Sequence, residues 1–149
     1  MRAVLQRVSS AQVAIAEAIV GNIGSGWLVL LGVAPSDTAD DARWMAEKIA
    51  GLRAFPDSDG KMNLYVQEIA GAILCISNFT LYADCAKGRR PSFIGAAAPE
   101  VAAPLYSLTI EVFRSLGIPT EIGQFGTDMQ VSLVNDGPVT LILDSPKRI

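Results

Sequence analysis

Apolar residues in the first third of the chain recur at strand spacing rather than helical spacing. Val13 and Ile15 alternate with small or polar neighbours, and the apolar stretches 19–23 and 27–33 flank Gly24-Ser25-Gly26, a hairpin-type turn. Asp37 or Thr38 is then placed to cap a helix that carries Asp40 and Asp41 in its first turn. Ala42, Met45, Ala46, Ile49 and Leu52 give that helix one apolar face, and Pro56 is expected to stop it. Residues 57–60 predict a turn, 64–69 a strand, and 72–79 a buried strand. A second helix is expected from about 100 to 116, with Val101, Leu105, Leu108, Val112 and Leu116 as its apolar stripe. Pro104 disturbs its first turn, and Gly117 with Pro119 ends it. Met129, Val131 and Leu133 alternate with polar residues in a late strand. Asn135-Asp136-Gly137-Pro138 predicts a tight turn, and 139–143 a final strand. Strands clustered at both ends, with two main helices between, predict one strand-rich α+β domain over residues 1–149 rather than a doubly wound parallel sheet.

Composition narrows the chemistry. Half of the 149 residues are hydrophobic and 18% are charged, which suits a globular domain. No apolar stretch reaches membrane-spanning length, and the first residues lack the pattern of a signal peptide, so a cytoplasmic protein is expected. Cys75 and Cys85 are too few for a disulfide framework or a structural zinc site, and no metal or cofactor is expected. There is no histidine. That excludes Ser–His and Cys–His pairs and every imidazole acid–base scheme. A net charge of −3 argues against a broad grip on nucleic acid. The cluster Lys87-Gly88-Arg89-Arg90 is the local exception; it is either a solvated loop or a contact for a few phosphates.

Two segments carry more specific information. One is Ser77-Asn78-Phe79-Thr80-Leu81, running through Tyr82-Ala83-Asp84 into Lys87-Gly88-Arg89-Arg90-Pro91-Ser92-Phe93; the other is Asn135-Asp136-Gly137-Pro138-Val139-Thr140. Together they resemble the two signature motifs of the D-aminoacyl-tRNA deacylases, Ser-Gln-x-x-Leu and Asn-x-Gly-Pro-x-Thr. Met1-Arg2-Ala3-Val4 with Gln6-Arg7-Val8, the Gly60-Lys61-Met62-Asn63-Leu64 turn, and Phe125-Gly126 with Asp128-Met129-Gln130-Val131 fit the same family. Asn78 departs from it, standing where the motif has glutamine and withdrawing the amide by about 1.5 Å.

The resemblance implies an enzyme that hydrolyses the ester of D-aminoacyl-tRNA and of mischarged glycyl-tRNA. It also implies a homodimer in which Gly137-Pro138, joined by a cis bond, reaches into the partner's site and leaves no room for an L side chain. Ser77, Asn78, Phe79 and Thr80 become the catalytic segment, without a side-chain nucleophile: a water attacks, helped by the 2′-hydroxyl of the terminal adenosine and by backbone N–H groups around Phe79. Phe125 and Met129 are implied to cradle the adenine of the 3′-terminal aminoacyl-adenosine. Asn135, Thr140, Lys87, Arg89 and Arg90 are the other implied substrate or tRNA contacts. Three alternatives stay open on the residues themselves. One is a hydrolase with Thr80 or Ser77 as nucleophile and Lys87 as base. Another is a non-catalytic dimer that binds RNA ends. The third is a relative that clears a small L-amino acid.

Overall fold

The computed structural model describes residues 1–146; the last three positions of the expected 1–149 domain lie outside the described residues. The chain runs β1 (Arg2–Ile15), β2 (Ala18–Ile23), β3 (Gly26–Gly32), α1 (Ala39–Ala50), β4 (Phe55–Pro56), β5 (Met62–Leu64), β6 (Ala72–Ser77), a 3-10 helix (Phe79–Tyr82), α2 (Pro99–Ser115), β7 (Thr120–Ile122) and β8 (Gln130–Asp144). The architecture is the expected strand-rich α+β one with two main helices, although part of the sheet is parallel. β1 takes β2 and β3 along one edge and β8 along the other, all antiparallel, while β3, β6 and β7 run parallel. The sheet curls until β2 nears β7: a Cβ at Gly21 would lie 2.9 Å from the Ile122 carbonyl oxygen.

Two apolar cores follow from that curl. Between sheet and helices lie Ala3, Leu5, Trp27, Val29, Leu31, Ile73 and Cys75, packed on Met45, Ile49, Tyr106, Ile110 and Phe113. Inside the curl lie Val8, Ala11, Val13, Leu28, Leu74 and Ile76, with Met129, Val131 and Leu133 half-buried against them. β3 therefore contributes side chains to both cores, which is why residues 27–33 read as a nearly continuous apolar run.

The first helix follows its sequence pattern. Thr38 is the cap, and its N–H and hydroxyl both donate to Asp41 Oδ2 at 2.8 Å. Ala42, Met45, Ala46 and Ile49 are buried as expected. It ends earlier than Pro56, at Ala50, where Gly51 takes over and donates its N–H to Glu47 O.

Several expectations need correction. The buried side of α2 is Ala102, Tyr106, Thr109, Ile110 and Phe113, one residue round from the expected stripe; Val101 and Leu116 are exposed. Both stripes are apolar, but the larger ring of Phe113 and the Tyr106 hydroxyl, which donates to Cys75 O at 2.8 Å, find their partners on the inner side. Residues 64–69 form a strand only at Leu64. Thereafter Glu68 captures the Tyr65 N–H through its carboxylate, and Gly71 N–H bonds back to Val66 O, which closes turns instead of a ladder. The strand expected over 72–79 ends at Ser77, where the chain tightens into the 3-10 helix. Nor is 135–138 a turn between two strands. β8 passes through it, paired to β1 on both sides.

Candidate functional site

The parallel strands β3 and β6 end side by side, with Leu31 opposite Ser77. Beyond those ends opens a cavity of about 680 Å³. Ser77, Asn78 and Phe79 form one wall, Phe125 to Met129 with Val131 another, and Phe93, Ala97 and Tyr106 close the rest. Among the expected site residues it thus brings together Ser77, Asn78, Phe79, Phe125 and Met129. Tyr106 and Phe93 line it without having been singled out.

Each wall has an identifiable support. Asn78 N–H donates to Leu31 O at 2.8 Å, extending the ladder one step past Ser77. The chain then turns into the 3-10 helix, whose first N–H groups have no intrahelical acceptor. Thr80 does not line the cavity; its hydroxyl donates to Asn78 Oδ1 and fixes the shortened amide locally. Behind the turn, Arg2 Nη1 donates to Leu81 O at 3.3 Å, its guanidinium stands 5.5 Å over the Tyr82 ring, and Nε holds Asp144 at 2.8 Å. Burial, reinforced by Asp37 and Asp144, pushes the Tyr82 hydroxyl up to about 12. On the opposite wall the Phe125 ring leans on Tyr106 at 5.9 Å. Met129 covers Gly123 so closely that a Cβ there would strike its sulfur.

Two buried groups beside the cavity are held in their neutral forms. Burial raises the Tyr106 hydroxyl above its ordinary value and the Cys75 thiol to about 12. Among the described residues no cluster of three or more His, Cys, Asp or Glu is arranged to hold a metal ion.

The second motif lies elsewhere. Gln6 pairs with Thr140 and Val8 with Asn135, so Asp136, Gly137, Pro138 and Val139 are looped out opposite the single residue Arg7. The loop is clamped from both sides. Asn135 Nδ2 donates to Arg7 O and to Val139 O, each at 2.9 Å. Arg7, buried beneath it, donates from Nε to Asp136 O at 3.1 Å and from Nη1 to Ala54 O at 2.7 Å. The Gly137–Pro138 bond is cis. Gly137 sits at φ 130°, and a Cβ on it would fall 2.8 Å from Val139 Cγ2 and 3.1 Å from Arg7 Nη2. Arg7 was quoted in the sequence only as part of a flank; no local signal marks an arginine that works 129 residues away.

Within one chain the two motifs do not meet. Ser77, Leu31, Ala3 and Leu143 share one level of the sheet, whereas Asn135 sits at the level of Val8, five residues further along β1 and three strands over from β6. That is a separation on the order of 20 Å. Asp136, Gly137 and Pro138 are exposed, and among the described residues β8 ladders with β1 alone, leaving its other edge open. Lys87, Arg89 and Arg90 are exposed on a hairpin closed by reciprocal backbone bonds between Asp84 and Ser92 at 2.8 and 2.9 Å.

Comparison with known proteins gives a consistent result. The family model described as D-Tyr-tRNA(Tyr) deacylase matches residues 4–144. A D-aminoacyl-tRNA deacylase of Desulfatibacillum aliphaticivorans is 58% identical over 145 residues, covering 97% of this chain and 99% of that one. One of Geobacter sulfurreducens is 57% identical over 148 residues, covering 99% and 97%. A solved structure described as "c-Myc DNA Unwinding Element Binding Protein" superposes with a TM-score of 0.92 at 40% identity, over 99% of this chain and 100% of that one. Another, described as a "probable eukaryotic D-amino acid tRNA deacylase", gives 0.85 at 17% identity over 95% and 97%, a likeness of fold alone.

Proposed function

The chain belongs to the D-aminoacyl-tRNA deacylase family, and from that premise we propose that it hydrolyses the ester joining a D-amino acid or glycine to the 3′-terminal adenosine of tRNA. The observation that carries this reading is the cavity of about 680 Å³, a volume suited to an aminoacyl-adenosine, with Ser77-Asn78-Phe79 on one wall and Phe125 and Met129 on another. The adenine packs on Phe125 and Met129, and the scissile ester lies against the Ser77–Thr80 segment. Lys87, Arg89 and Arg90 meet phosphates of the acceptor end. One domain in the cytoplasm suffices, and its two free thiols suit a reducing compartment.

Water is the nucleophile. Its oxygen attacks the ester carbonyl carbon, oriented by the substrate's own 2′-hydroxyl. Backbone N–H groups at Phe79 and Thr80 stabilise the negative charge that develops on the carbonyl oxygen. The bond to the 3′-oxygen then breaks, and a proton from the water ends on that oxygen, releasing free tRNA and the amino acid. No side chain need titrate.

Selection by hand comes from a second copy of the chain. The exposed, clamped Gly137-Pro138 loop and the open edge of β8 support a homodimer in which each loop enters the partner's cavity. Backbone carbonyls there face the substrate's α-carbon and exclude an L side chain. Asn135 holds the loop in shape, and Thr140 anchors its end beside Gln6. Glycine has no side chain to exclude, so glycyl-tRNA is also a substrate.

The test is a deacylation assay on matched D-, L- and glycyl-tRNA, run beside sedimentation. D- and glycyl-tRNA should be cleaved, L-aminoacyl-tRNA should survive, and the active species should be the dimer. Equal cleavage of the L substrate sinks the chiral gate, and a fully active monomer sinks the cross-subunit arrangement.

A further inference from the structure

Three large apolar side chains stand exposed beside the cavity. Phe79 is 56% exposed and Phe93 41%, and their rings meet edge to face with centroids 5.1 Å apart. Ile94, next along the chain and outside the cavity lining, is 90% exposed. Single exposed apolar residues are unremarkable, but three together at the rim of a binding cavity form a patch that some ligand covers. A cationic hairpin leads into the patch. Ser92, which closes the hairpin bearing Lys87, Arg89 and Arg90, is followed directly by Phe93, so three cations within four residues adjoin the patch in a chain of net charge −3.

We propose that Phe93 and Ile94 form a stacking platform for the unpaired nucleotides that precede the terminal adenosine, with the Lys87–Arg90 hairpin neutralising their phosphates. The proposal rests on the tRNA-deacylase reading above and names a second subsite for that substrate. Proteins that hold single-stranded RNA combine these two elements: apolar faces under the bases and cations along the backbone. The cavity has room for one aminoacyl-adenosine, so the strand must leave it across the rim. Phe79 and Phe93 line the cavity and remain partly exposed, and the exposed Ile94 follows Phe93 outside that lining.

Ile94→Ser separates this subsite from the cavity, because Ile94 does not line the cavity. With D-tyrosyl-tRNA as substrate, kcat/KM should fall about tenfold, in line with the loss of one aliphatic side chain buried against a base. With D-tyrosyl-adenosine, which lacks the preceding nucleotides, the variant should match the parent chain. Plotted against salt, its tRNA affinity should run parallel to the parent's, since no phosphate contact is lost, whereas Arg89→Ala with Arg90→Ala should flatten the slope. Undiminished turnover of D-tyrosyl-tRNA by Ile94→Ser, or an equal loss on both substrates, overturns the platform. Dissociation of the dimer by Ile94→Ser overturns it too and assigns the patch to a second copy of the chain. If the parent chain cleaves neither substrate, the hydrolytic reading fails, and the platform with it.

Discussion

At the β6 end of the sheet a single chain encloses about 680 Å³ with side chains drawn from strands, loops and α2. At the far end, Asp136, Gly137 and Pro138 project from β8, and what shapes them is backbone, held by Arg7 and Asn135. One region is concave, mostly apolar and lined by side chains; the other is an exposed loop shaped by its backbone. A receptacle made of side chains can be retuned by substitution. A projection made of backbone ignores most side-chain changes but is intolerant of an added atom or a lost clamp.

The largest expected effect breaks the second region directly. Gly137→Ala puts a methyl group within 2.8 Å of Val139 Cγ2 at a φ of 130° that L side chains rarely adopt. Hydrolysis of D-aminoacyl- and glycyl-tRNA should fall at least about 100-fold, the cost of misplacing an active-site element by roughly 1 Å. The chain should still fold, with its melting point lowered by the strain of a β-carbon at that φ. Turnover close to that of the parent chain would remove the loop from the active site.

Arg7→Ala comes next. It leaves Ala54 O, buried, and Asp136 O without their donor, which should cost about 1–3 kcal/mol in urea unfolding and lower turnover as the loop loosens. Arg7→Lys should recover part of the stability but little of the rate, because a single ammonium cannot serve both carbonyls in the geometry of the fork. If stability falls and rate does not, the clamp is structural and the two regions are less dependent on each other than proposed.

The smallest effect serves as the control, since Asp41 belongs to neither region. Burial alone would raise its carboxyl, but hydrogen bonds from the Thr38 N–H and hydroxyl outweigh this and hold it below its ordinary value. A depressed folded pKa means stabilisation that is present above the unfolded value and lost as pH falls through the folded one. Asp41→Asn should therefore cost about 1 kcal/mol at pH 7, and the gap should close below about pH 4. Deacylation at neutral pH should be unchanged; a rate effect would mean that α1 shapes the cavity more directly than its contacts indicate.

How much of this was legible in the sequence depended on the reach of each interaction. Helix α1 could be read because its cap, its acidic first turn and its apolar face all lie within a dozen residues. The inner face of α2 could not be read, since two neighbouring stripes are equally apolar and the choice was made by Tyr106 bonding to Cys75, 31 positions away. Asn135-Asp136-Gly137-Pro138 has every local mark of a turn, and only pairing with β1 makes it an excursion within one strand. Ser77, Asn78, Phe79, Phe125 and Met129 were found through motif resemblance and do share one cavity. Phe93 and Tyr106 carried no separate mark.

The pairing of β1 with β8 also fixes an order of assembly. The residues that line the cavity end at Val131, whereas the loop of the second motif lies at 136–139, and its clamp, Arg7, belongs to the first strand. During synthesis from the ribosome, β1 must wait with one edge unpaired until β8 emerges, and contacts of such long sequence separation form late. A nascent chain can thus possess every residue of the pocket before it possesses the loop. The clamp closes only when the earliest strand meets the last of the described strands, so a chain interrupted between Val131 and Asp136 carries every residue that lines the cavity and lacks the loop.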